Sequence, residues 1–304
     1  MLRTFLMLQG PASPFFPALA DALRKRGSMV KRVNFCGGDM CLCNDVNTWN
    51  YSGPDDQFAD WIGGRIREYA FTDIFLFGDC RPIHMDIHSI AEQLGVRVHV
   101  FEEGYVRPSW VTMEDYGVNG RSKIPKDPTW YFDPNNEVRP TRPPIPTGYN
   151  LYERAYHAIR YRIFNRINRS KFPHYKSHRP YDGLTEYKGL LKSLLNKRKN
   201  QKEYQSIFMS IRQSEADIHL FPLQLSSDFQ IREHSPFRDL NEAIGLVIES
   251  FSKNSNPKAV LLIKQHPLDT EILYHEKFSK NISRKFGVSD RVFYIKDGHL
   301  PTIL

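Results

Sequence analysis

The chain has 304 residues, of which 40% are hydrophobic and 13% aromatic. This composition excludes a disordered chain and leaves room for two folded domains, and the lack of any run of about 18 apolar residues argues against a membrane-spanning helix. The net charge of +8 belongs to one segment, because residues 151–202 carry a net +11 and the rest of the chain a net −3.

The first half of the chain alternates strand-like and helix-like runs. Short continuous apolar runs predict buried parallel strands, and 3.6-residue periodicity predicts helices. The predicted strands are 4–8, 29–35, 74–77 and 96–101, and the predicted helices are 15–26, 55–69 and 82–94. The run at 4–8 is too short for a secretory signal, which favours a cytoplasmic protein. This β-α order predicts a parallel sheet with right-handed crossovers.

The second half repeats the alternation after an interruption. Seven prolines between 125 and 146 predict an extended crossing segment ahead of the basic segment. The later predicted elements are strands 219–223, 259–263 and 292–295 and helices 236–252 and 270–286. We therefore expect an α/β fold of two Rossmann-type domains, 1–124 and 205–304, separated by 125–204. Since no helix follows the last strand, we expect the second domain to be incomplete at its C-terminus.

The four cysteines indicate neither a disulfide framework nor a metal site. Cys36, Cys41, Cys43 and Cys80 are typical of thiols in a reducing compartment. The Cys-x-Cys at 41–43 lacks the usual two-residue spacer of zinc sites, and no second ligand pair is placed to complete four-coordination. We expect no metal ion.

Adjacent carboxylates follow the predicted strand 96–101. Repulsion between Glu102 and Glu103, together with partial burial, would raise one pKa toward the range needed for general acid/base chemistry. Gly104 permits a tight turn, and Arg107 lies nearby as a candidate substrate contact. The alternative is a solvated acidic turn.

Two further loops of the first half follow predicted strands. Asp79, Arg81 and His84 in GDCRPIH are candidates for binding an anionic substrate, since Arg suits a bidentate carboxylate contact. Ser13 precedes the first helix, whose N-terminus could bind an anion. The alternatives are an ordinary loop-to-helix turn and simple N-capping by Ser13.

The second half has two such loops. Lys264, Gln265, His266 and Pro267 follow strand 259–263, where a His-Pro pair and a lysine fit phosphate binding; the alternative is a helix-start turn. The loop 222–237 carries two candidates, Asp228 and Arg232. A carboxylate there could act as a nucleophile toward a sugar carbon, and the alternative is a helix cap with a local ion pair.

The basic segment interleaves cations and aromatic residues. Five of its arginines are candidates for contact with a membrane surface, namely Arg154, Arg160, Arg162, Arg166 and Arg169. An amphipathic helix of this kind fits an anionic bilayer surface. A nucleic-acid partner is less favoured, and a structural helix with a solvated basic face is the third interpretation.

Together these motifs resemble the bacterial capsular polysaccharide synthesis and export family of KpsS/LipB-type retaining β-Kdo transferases. The segments that carry the resemblance are LQGPASPFF (8–16), VNFCGGD (33–39), GDCRPIH (78–84), residues 100–120, residues 221–237, KQHP (264–267) and DGHLPTIL (297–304).

The resemblance implies a GT-B-like pair of domains and transfer of Kdo from CMP-Kdo, with retention, to a phospholipid-based acceptor at the inner membrane. It implies Asp228 as nucleophile, an acid/base role for Glu103, and binding of CMP by the His-Pro pair. The family continues with a Ser/Thr-rich loop that helps hold the nucleotide and that does not follow here, so a truncated second domain is expected. Other capsule assembly proteins are further candidate partners.

Two other functions stay open from the sequence. One is a non-catalytic, glycolipid-binding component of a capsule export or assembly complex. The other is an inverting transferase that uses CMP-sialic acid, with Glu103 as the direct base.

Overall fold

The structure is a computed structural model that describes residues 3–104, 110–136, 143, 150–178, 183–214, 216–269 and 273–298. The chain packs as two α/β units, residues 1–178 and 179–304, and each unit has its own sheet. The predicted α/β class with parallel sheets is confirmed. The finer predicted division at residues 124 and 204 stays a prediction.

The sheet of the first unit has six strands. In chain order they are β1 (Thr4–Met7), β2 (Met29–Asn34), β3 (Thr48–Asn50), β4 (Asp73–Phe77), β5 (Arg97–Glu103) and β6 (Val111–Asp115). Their spatial order is β3-β2-β1-β4-β5-β6, and every neighbouring pair is parallel except β5 and β6. All five residues of β4 are buried, as the continuous apolar pattern predicts.

Helices cover both faces of this sheet. In chain order they are α1 (Phe15–Lys25), α2 (Gly37–Leu42), α3 (Phe58–Tyr69), α4 (Ile87–Gln93), α5 (Pro128–Phe132) and α6 (Leu151–Ile167). Alternate residues of β1 point to opposite faces. Leu6 joins the core formed with α3 and α4, whereas Phe5 joins the core formed with α1.

The second unit has three parallel strands in the order β7-β8-β9. They are β7 (Ile218–Pro222), β8 (Val260–Lys264) and β9 (Val292–Ile295). The helices are α7 (Gly183–Gln213), α8 (Phe229–Arg232), α9 (Leu240–Asn254) and α10 (His275–Lys285). Helices α9 and α10 pack on one face of β8, and Ile211 of α7 packs on the other.

The sequence prediction missed β3, β6 and the extent of β5. Strand β3 has three residues in a Gly- and Asn-rich stretch, and β6 is a half-exposed edge strand, so neither carries a buried apolar run. Because β6 pairs with β5 as far as Glu103, the two glutamates lie at the end of a strand and not in a loop. None of the helices in the described ranges is long and apolar enough to cross a membrane.

Candidate functional site

The carboxyl ends of β1, β2, β4 and β5 bring several predicted residues of the first unit to one edge of its sheet. Parallel strands end at the same edge, which is where open α/β sheets bind ligands. Arg81 lies here, and its Nη1 donates to Gln9 Oε1 at 3.2 Å and to the Gly10 carbonyl at 2.9 Å. Its side chain is buried, and burial lowers its pKa.

A buried polar group at this edge, which we name the edge cluster, consists of Gln9, Cys36, Asp39, Tyr161 and Tyr175. The carboxylate of Asp39 accepts hydrogen bonds from Tyr161 Oη at 2.7 Å, from Gln9 Nε2 at 3.1 Å and from the backbone N of Phe35 at 3.0 Å. Gln9 Nε2 also lies 3.2 Å from Tyr175 Oη. Burial raises the pKa of both tyrosines, so they stay protonated; Tyr161 donates to Asp39, and Tyr175 accepts from Gln9.

Two glycines let α6 approach the edge cluster closely. A Cβ on Gly37 would overlap the backbone oxygen of Phe164, and one on Gly38 would overlap the ring of Tyr161. The sequence prediction missed Gln9 and Asp39, although both follow strands within quoted motifs. Nothing in the sequence pointed to Tyr161 or Tyr175 as members of a site.

Glu102 and Glu103, the last two residues of β5, lie at the same edge of the sheet. Glu103 Oε1 accepts a hydrogen bond from Arg154 Nη2 at 2.6 Å, and Glu102 Oε1 accepts one from the backbone N of Glu103 at 2.9 Å. A Cβ on Gly104 would overlap the backbone oxygen of Trp110, so the glycine allows these two backbones to lie close together. Arg107 lies outside the described residues.

The other predicted contacts of the first unit are internal. His84 is fully buried, its Nδ1 lies 2.7 Å from the Gly78 carbonyl, and burial followed by the charge of Arg81 lowers its pKa to about 3. It is therefore neutral and brings no charge to an anionic substrate. Asp79 is buried and pairs with Arg121 at 3.4 Å. Ser13 Oγ accepts a hydrogen bond from the backbone N of Phe15 at 3.4 Å. The N-cap of α1 is Pro14, however, and no side chain caps this helix, so the predicted N-capping by Ser13 is not observed.

Helix α6 is the predicted basic aromatic helix, and its two faces differ. The inner face carries Tyr161 and Arg160, whose Nη2 donates to the Cys41 carbonyl at 3.0 Å. The outer face carries an apolar stripe with helical spacing, formed by Tyr152, Tyr156, Ile159, Ile163 and Ile167, each 47% to 85% exposed. Arg166 and Arg169 are exposed and Arg162 partly so.

The predicted Lys-Gln-His-Pro segment lies at the carboxyl edge of the second unit's sheet. Lys264 ends β8, and its buried Nζ donates to the Gln265 carbonyl at 2.8 Å; burial lowers its pKa. His266 Nδ1 accepts a hydrogen bond from the backbone N of Leu268 at 3.1 Å, which closes the turn over Pro267.

Asp228 is the N-cap of α8. Its Oδ1 accepts a hydrogen bond from the backbone N of Gln230 at 2.9 Å, the cap that the alternative interpretation expects. The guanidinium of Arg232 lies 5.3 Å from the ring centre of Phe229.

A series of hydrogen bonds, which no sequence motif predicted, joins this loop to two helices. His275, the first residue of α10, is 3% exposed. Its Nε2 lies 2.8 Å from Ser226 Oγ, and its Nδ1 lies 2.7 Å from Asn241 Oδ1. Since the asparagine oxygen only accepts, Nδ1 carries the proton and Nε2 accepts from the serine hydroxyl.

A cavity of about 430 Å³ opens beside His275 and beyond the ends of β8 and β9. Two carboxylates, Asp269 and Glu276, also line it, and Glu276 pairs with Lys280 at 2.5 Å and with Lys296 at 2.8 Å. The cations in its wall are Lys192, Lys277, Lys280, Arg284 and Lys296. The wall is therefore positively charged and suits an anion. No group of His, Cys, Asp and Glu in the described ranges is arranged to hold a metal ion.

Comparison with known proteins identifies the family. Residues 72–304 match the model of a family described as capsule polysaccharide biosynthesis protein. The chain is 31% identical to the capsule polysaccharide export protein KpsS of Escherichia coli, over 99% of this chain and 77% of that protein. It is 29% identical to the capsule polysaccharide modification protein LipB of Neisseria meningitidis, over 99% of this chain and 74% of that protein.

Among solved structures, a glycosyltransferase from Rickettsia africae aligns over 98% of this chain and 69% of its own, at 8% identity and a TM-score of 0.31, which is too low to support an argument. The family assignment stands on the sequence matches, and their length and identity are sufficient for it. The chain belongs to the capsule polysaccharide biosynthesis family.

Proposed function

We propose that the protein is a glycosyltransferase that moves Kdo from CMP-Kdo to a phospholipid-based acceptor, with retention, in capsule biosynthesis. One observation carries the proposal. In a member of a capsule biosynthesis family, the polar residues of the predicted motifs, among them Arg81, Glu102 and Lys264, lie at the carboxyl edges of parallel sheets. This is where α/β proteins bind nucleotides and sugars.

The charge of the second unit supports an anionic donor. CMP-Kdo carries a phosphate and a carboxylate. Lys264 and His266 lie at or just after the end of β8, and Arg232 is the last residue of α8, which follows β7. The adjacent cavity has a surplus of cations. We assign the CMP to this edge, held by the Lys-Gln-His-Pro segment.

The proposed reaction has two displacements at the anomeric carbon. The Asp228 carboxylate attacks that carbon, and CMP leaves with the electrons of the broken C–O bond. In the second step Glu103 takes the proton of the acceptor hydroxyl, the hydroxyl oxygen bonds to the anomeric carbon, and Asp228 is released. The proposal includes no metal or cofactor, and Asp79, Arg81, Ser13, Arg107 and Glu102 are proposed contacts on the acceptor side.

The test of this mechanism is Asp228→Asn. Asparagine is also a good N-cap, so the variant keeps the start of α8 while removing the nucleophile. We expect loss of transfer from CMP-Kdo to a lipid acceptor, by at least about a thousandfold, with an unchanged circular dichroism spectrum. The matched control is Glu249→Gln, an exposed carboxylate on α9. Full activity of Asp228→Asn would remove Asp228 as nucleophile.

The outer face of α6 supports placement at a membrane surface. We propose that its apolar stripe enters the interface of an anionic bilayer while Arg162, Arg166 and Arg169 contact lipid phosphates. Replacing Tyr156 and Ile163 by Ser should reduce sedimentation with vesicles of anionic phospholipid. Leu246→Ser, at a 53% exposed apolar residue of α9, is the control. Equal sedimentation of all three proteins would contradict the proposal.

A second candidate function is a non-catalytic component of capsule export, since the relative from Escherichia coli is named an export protein. This function predicts binding of glycolipid without release of CMP from CMP-Kdo. The third function, inverting transfer from CMP-sialic acid, predicts the opposite product anomer by NMR.

A further inference from the structure

The two halves of helix α7 differ in what surrounds them. In the second half, Tyr204, Ile207 and Ile211 pack with the apolar side chains of β8 and β9. In the first half, residues 183–203, no side chain that the structure describes belongs to a hydrophobic core of the second unit. A short helix depends mainly on the packing of one face for its stability. The first half of α7 therefore presents side chains that the described part of the chain leaves uncovered.

One face of this half combines leucines and cations. Leu191 is 59% exposed and Leu195 is 77% exposed. Arg198, Lys199 and Lys202 are exposed as well. The five residues follow one another at intervals of three or four, which places them on one side of the helix, and we name them the α7 stripe. The stripe begins with two apolar side chains and continues, one turn later, with three positive charges.

The charge around the α7 stripe has one sign. Residues 187–202 include six lysines and arginines and no aspartate or glutamate. Arg198 and Lys202 are four residues apart, and like charges at this interval destabilise an isolated helix. An anionic surface would replace this repulsion with attraction. The charge of the stripe therefore specifies an anionic partner.

The two leucines decide which anionic partner fits. A nucleic acid or another charged polymer binds cations through its phosphates or carboxylates and leaves the leucines in water. A bilayer has phosphates at its surface and hydrocarbon directly beneath, so it can bind the cations and bury the leucines at the same time. We propose that the α7 stripe is a membrane contact of the second unit, for a bilayer that contains anionic phospholipid. This contact is additional to the outer face of α6 in the first unit, and it does not depend on the proposed transfer reaction.

The experiment is co-sedimentation of the full chain with vesicles of phosphatidylcholine and phosphatidylserine in equal parts. Leu191→Gln combined with Leu195→Gln removes the apolar part of the stripe, and glutamine is nearly as good a helix former as leucine. We expect the dissociation constant for these vesicles to rise about tenfold, because binding no longer removes the leucines from water. The matched control is Leu246→Gln combined with Val46→Gln, two exposed apolar residues outside α7, and it should stay within about twofold of the unchanged protein.

A second pair of substitutions tests the cations of the stripe. Arg198→Gln combined with Lys199→Gln should raise the dissociation constant about twentyfold, since each charge near an anionic surface contributes about a factor of five. The control is Lys25→Gln combined with Lys258→Gln, which removes the same charge at exposed positions of other elements. It should change the dissociation constant less than about threefold, because charges far from the bilayer are screened. Vesicles of phosphatidylcholine alone should not distinguish these proteins.

Hydrogen exchange on the unchanged protein locates the contact without any substitution. The anionic vesicles should slow the exchange of the backbone amides of residues 191–202, because contact with the bilayer stabilises this half of the helix, and should leave the amides of α9 unchanged. Unaltered exchange in residues 191–202, or a leucine variant that binds as tightly as its control, would overturn the inference. Weaker binding in the Arg198 and Lys199 variant alone would also overturn it, since it would indicate adsorption by charge without burial of the leucines. A protein that binds no vesicles would contradict both membrane contacts and leave the proposed transfer reaction standing.

Discussion

The carboxyl edges of the two sheets differ in what surrounds their polar side chains. In the first unit much of the edge is filled by side chains that bond one another, with Asp39 accepting from Gln9, Tyr161 and a backbone N–H. Two buried atoms there, Asn34 Oδ1 and His84 Nε2, have no hydrogen-bond partner among the described residues. In the second unit the edge opens into a cationic cavity, and Gln265 keeps an unpaired buried oxygen. The first edge is largely filled by contacts within the chain, whereas the second opens into a cavity whose wall carries a surplus of cations.

The two edges should therefore contribute to the free energy of unfolding in different ways. Where protein groups satisfy one another, the free energy of unfolding should depend mainly on packing. Where groups are left unpaired, stability should rise with ligand concentration, since binding to the folded state shifts the unfolding equilibrium. The predictions below test each edge by itself, from the largest expected effect to the smallest.

Gly37→Ala should disrupt the packing of α6 against α2 at the edge of the first unit's sheet. The added methyl group would overlap the backbone of α6 at Phe164, so α6 must move away from α2. We expect a loss of about 3 kcal/mol in the free energy of unfolding, measured by urea denaturation. Gly64→Ala in α3 is the matched control, because outside its own chain neighbours and helix backbone no atom of the described residues lies within 4 Å of its new Cβ. The control should gain about 0.5 kcal/mol from the better helix former, and similar losses in both variants would contradict the packing argument.

Acid should weaken the first unit through His84. Burial and the nearby charge of Arg81 lower its pKa to about 3, while the unfolded chain has a pKa near 6.5. The unfolded state therefore binds the proton more readily, and the contribution of His84 is complete above about pH 6.5 and is lost as the pH falls toward 3. Between pH 7 and pH 5 we expect about 2 kcal/mol of stability to disappear.

The measurement for His84 is urea denaturation at both pH values. His84→Asn keeps a donor near the Gly78 carbonyl but does not titrate, so its loss between pH 7 and pH 5 should be smaller by about 2 kcal/mol. His174→Asn, the same change at an exposed histidine, is measured alongside it. An unaltered slope in His84→Asn would show that His84 does not carry the effect.

Ser226→Ala tests the chain of hydrogen bonds in the second unit. The change removes the hydroxyl that lies 2.8 Å from Nε2 of buried His275 and leaves that nitrogen without its partner. We expect a loss of about 1 kcal/mol, read from the unfolding transition. The neighbouring Ser227→Ala serves as control. An equal effect of the two changes would indicate that the hydrogen bond contributes nothing.

Arg154→Ala should have the smallest effect on stability. Its ion pair with Glu103 is 2.6 Å long, but the two side chains are 61% and 40% exposed. Water and salt screen such a pair, so we expect less than about 0.5 kcal/mol, decreasing in 0.5 M NaCl. A larger loss would show that Arg154 holds α6 in place.

The sequence predicted the elements with strong apolar patterns. Strand β4 and helix α1 were predicted to within a residue or two, because a buried strand or an amphipathic helix has a local signature. Strand β6 was not predicted, since its pairing with β5 depends on residues that are not adjacent in the sequence. The long helix α7 was predicted only as part of a basic segment, because its charged residues hide its periodicity.

The candidate site shows the same limit. Strand-end position pointed to Arg81, Glu102 and Lys264, all of which lie at sheet edges. It did not point to Tyr161 or His275, whose partners are 122 and 49 residues away in sequence. Hydrogen bonds between residues so far apart leave no periodic signal in a single sequence. The side chains buried at each sheet edge can therefore be identified only in the folded structure.

The position of Cys36 beneath α6 has a practical consequence. The thiol is 1% exposed, Tyr161 Oη lies 3.0 Å from its sulfur, and burial raises its pKa, so it resists alkylation in the folded protein. Cys41 and Cys43 are partly exposed and remain accessible to reagent. Mass-spectrometric detection of alkylated Cys36 would therefore report the moment at which α6 detaches, without any added label.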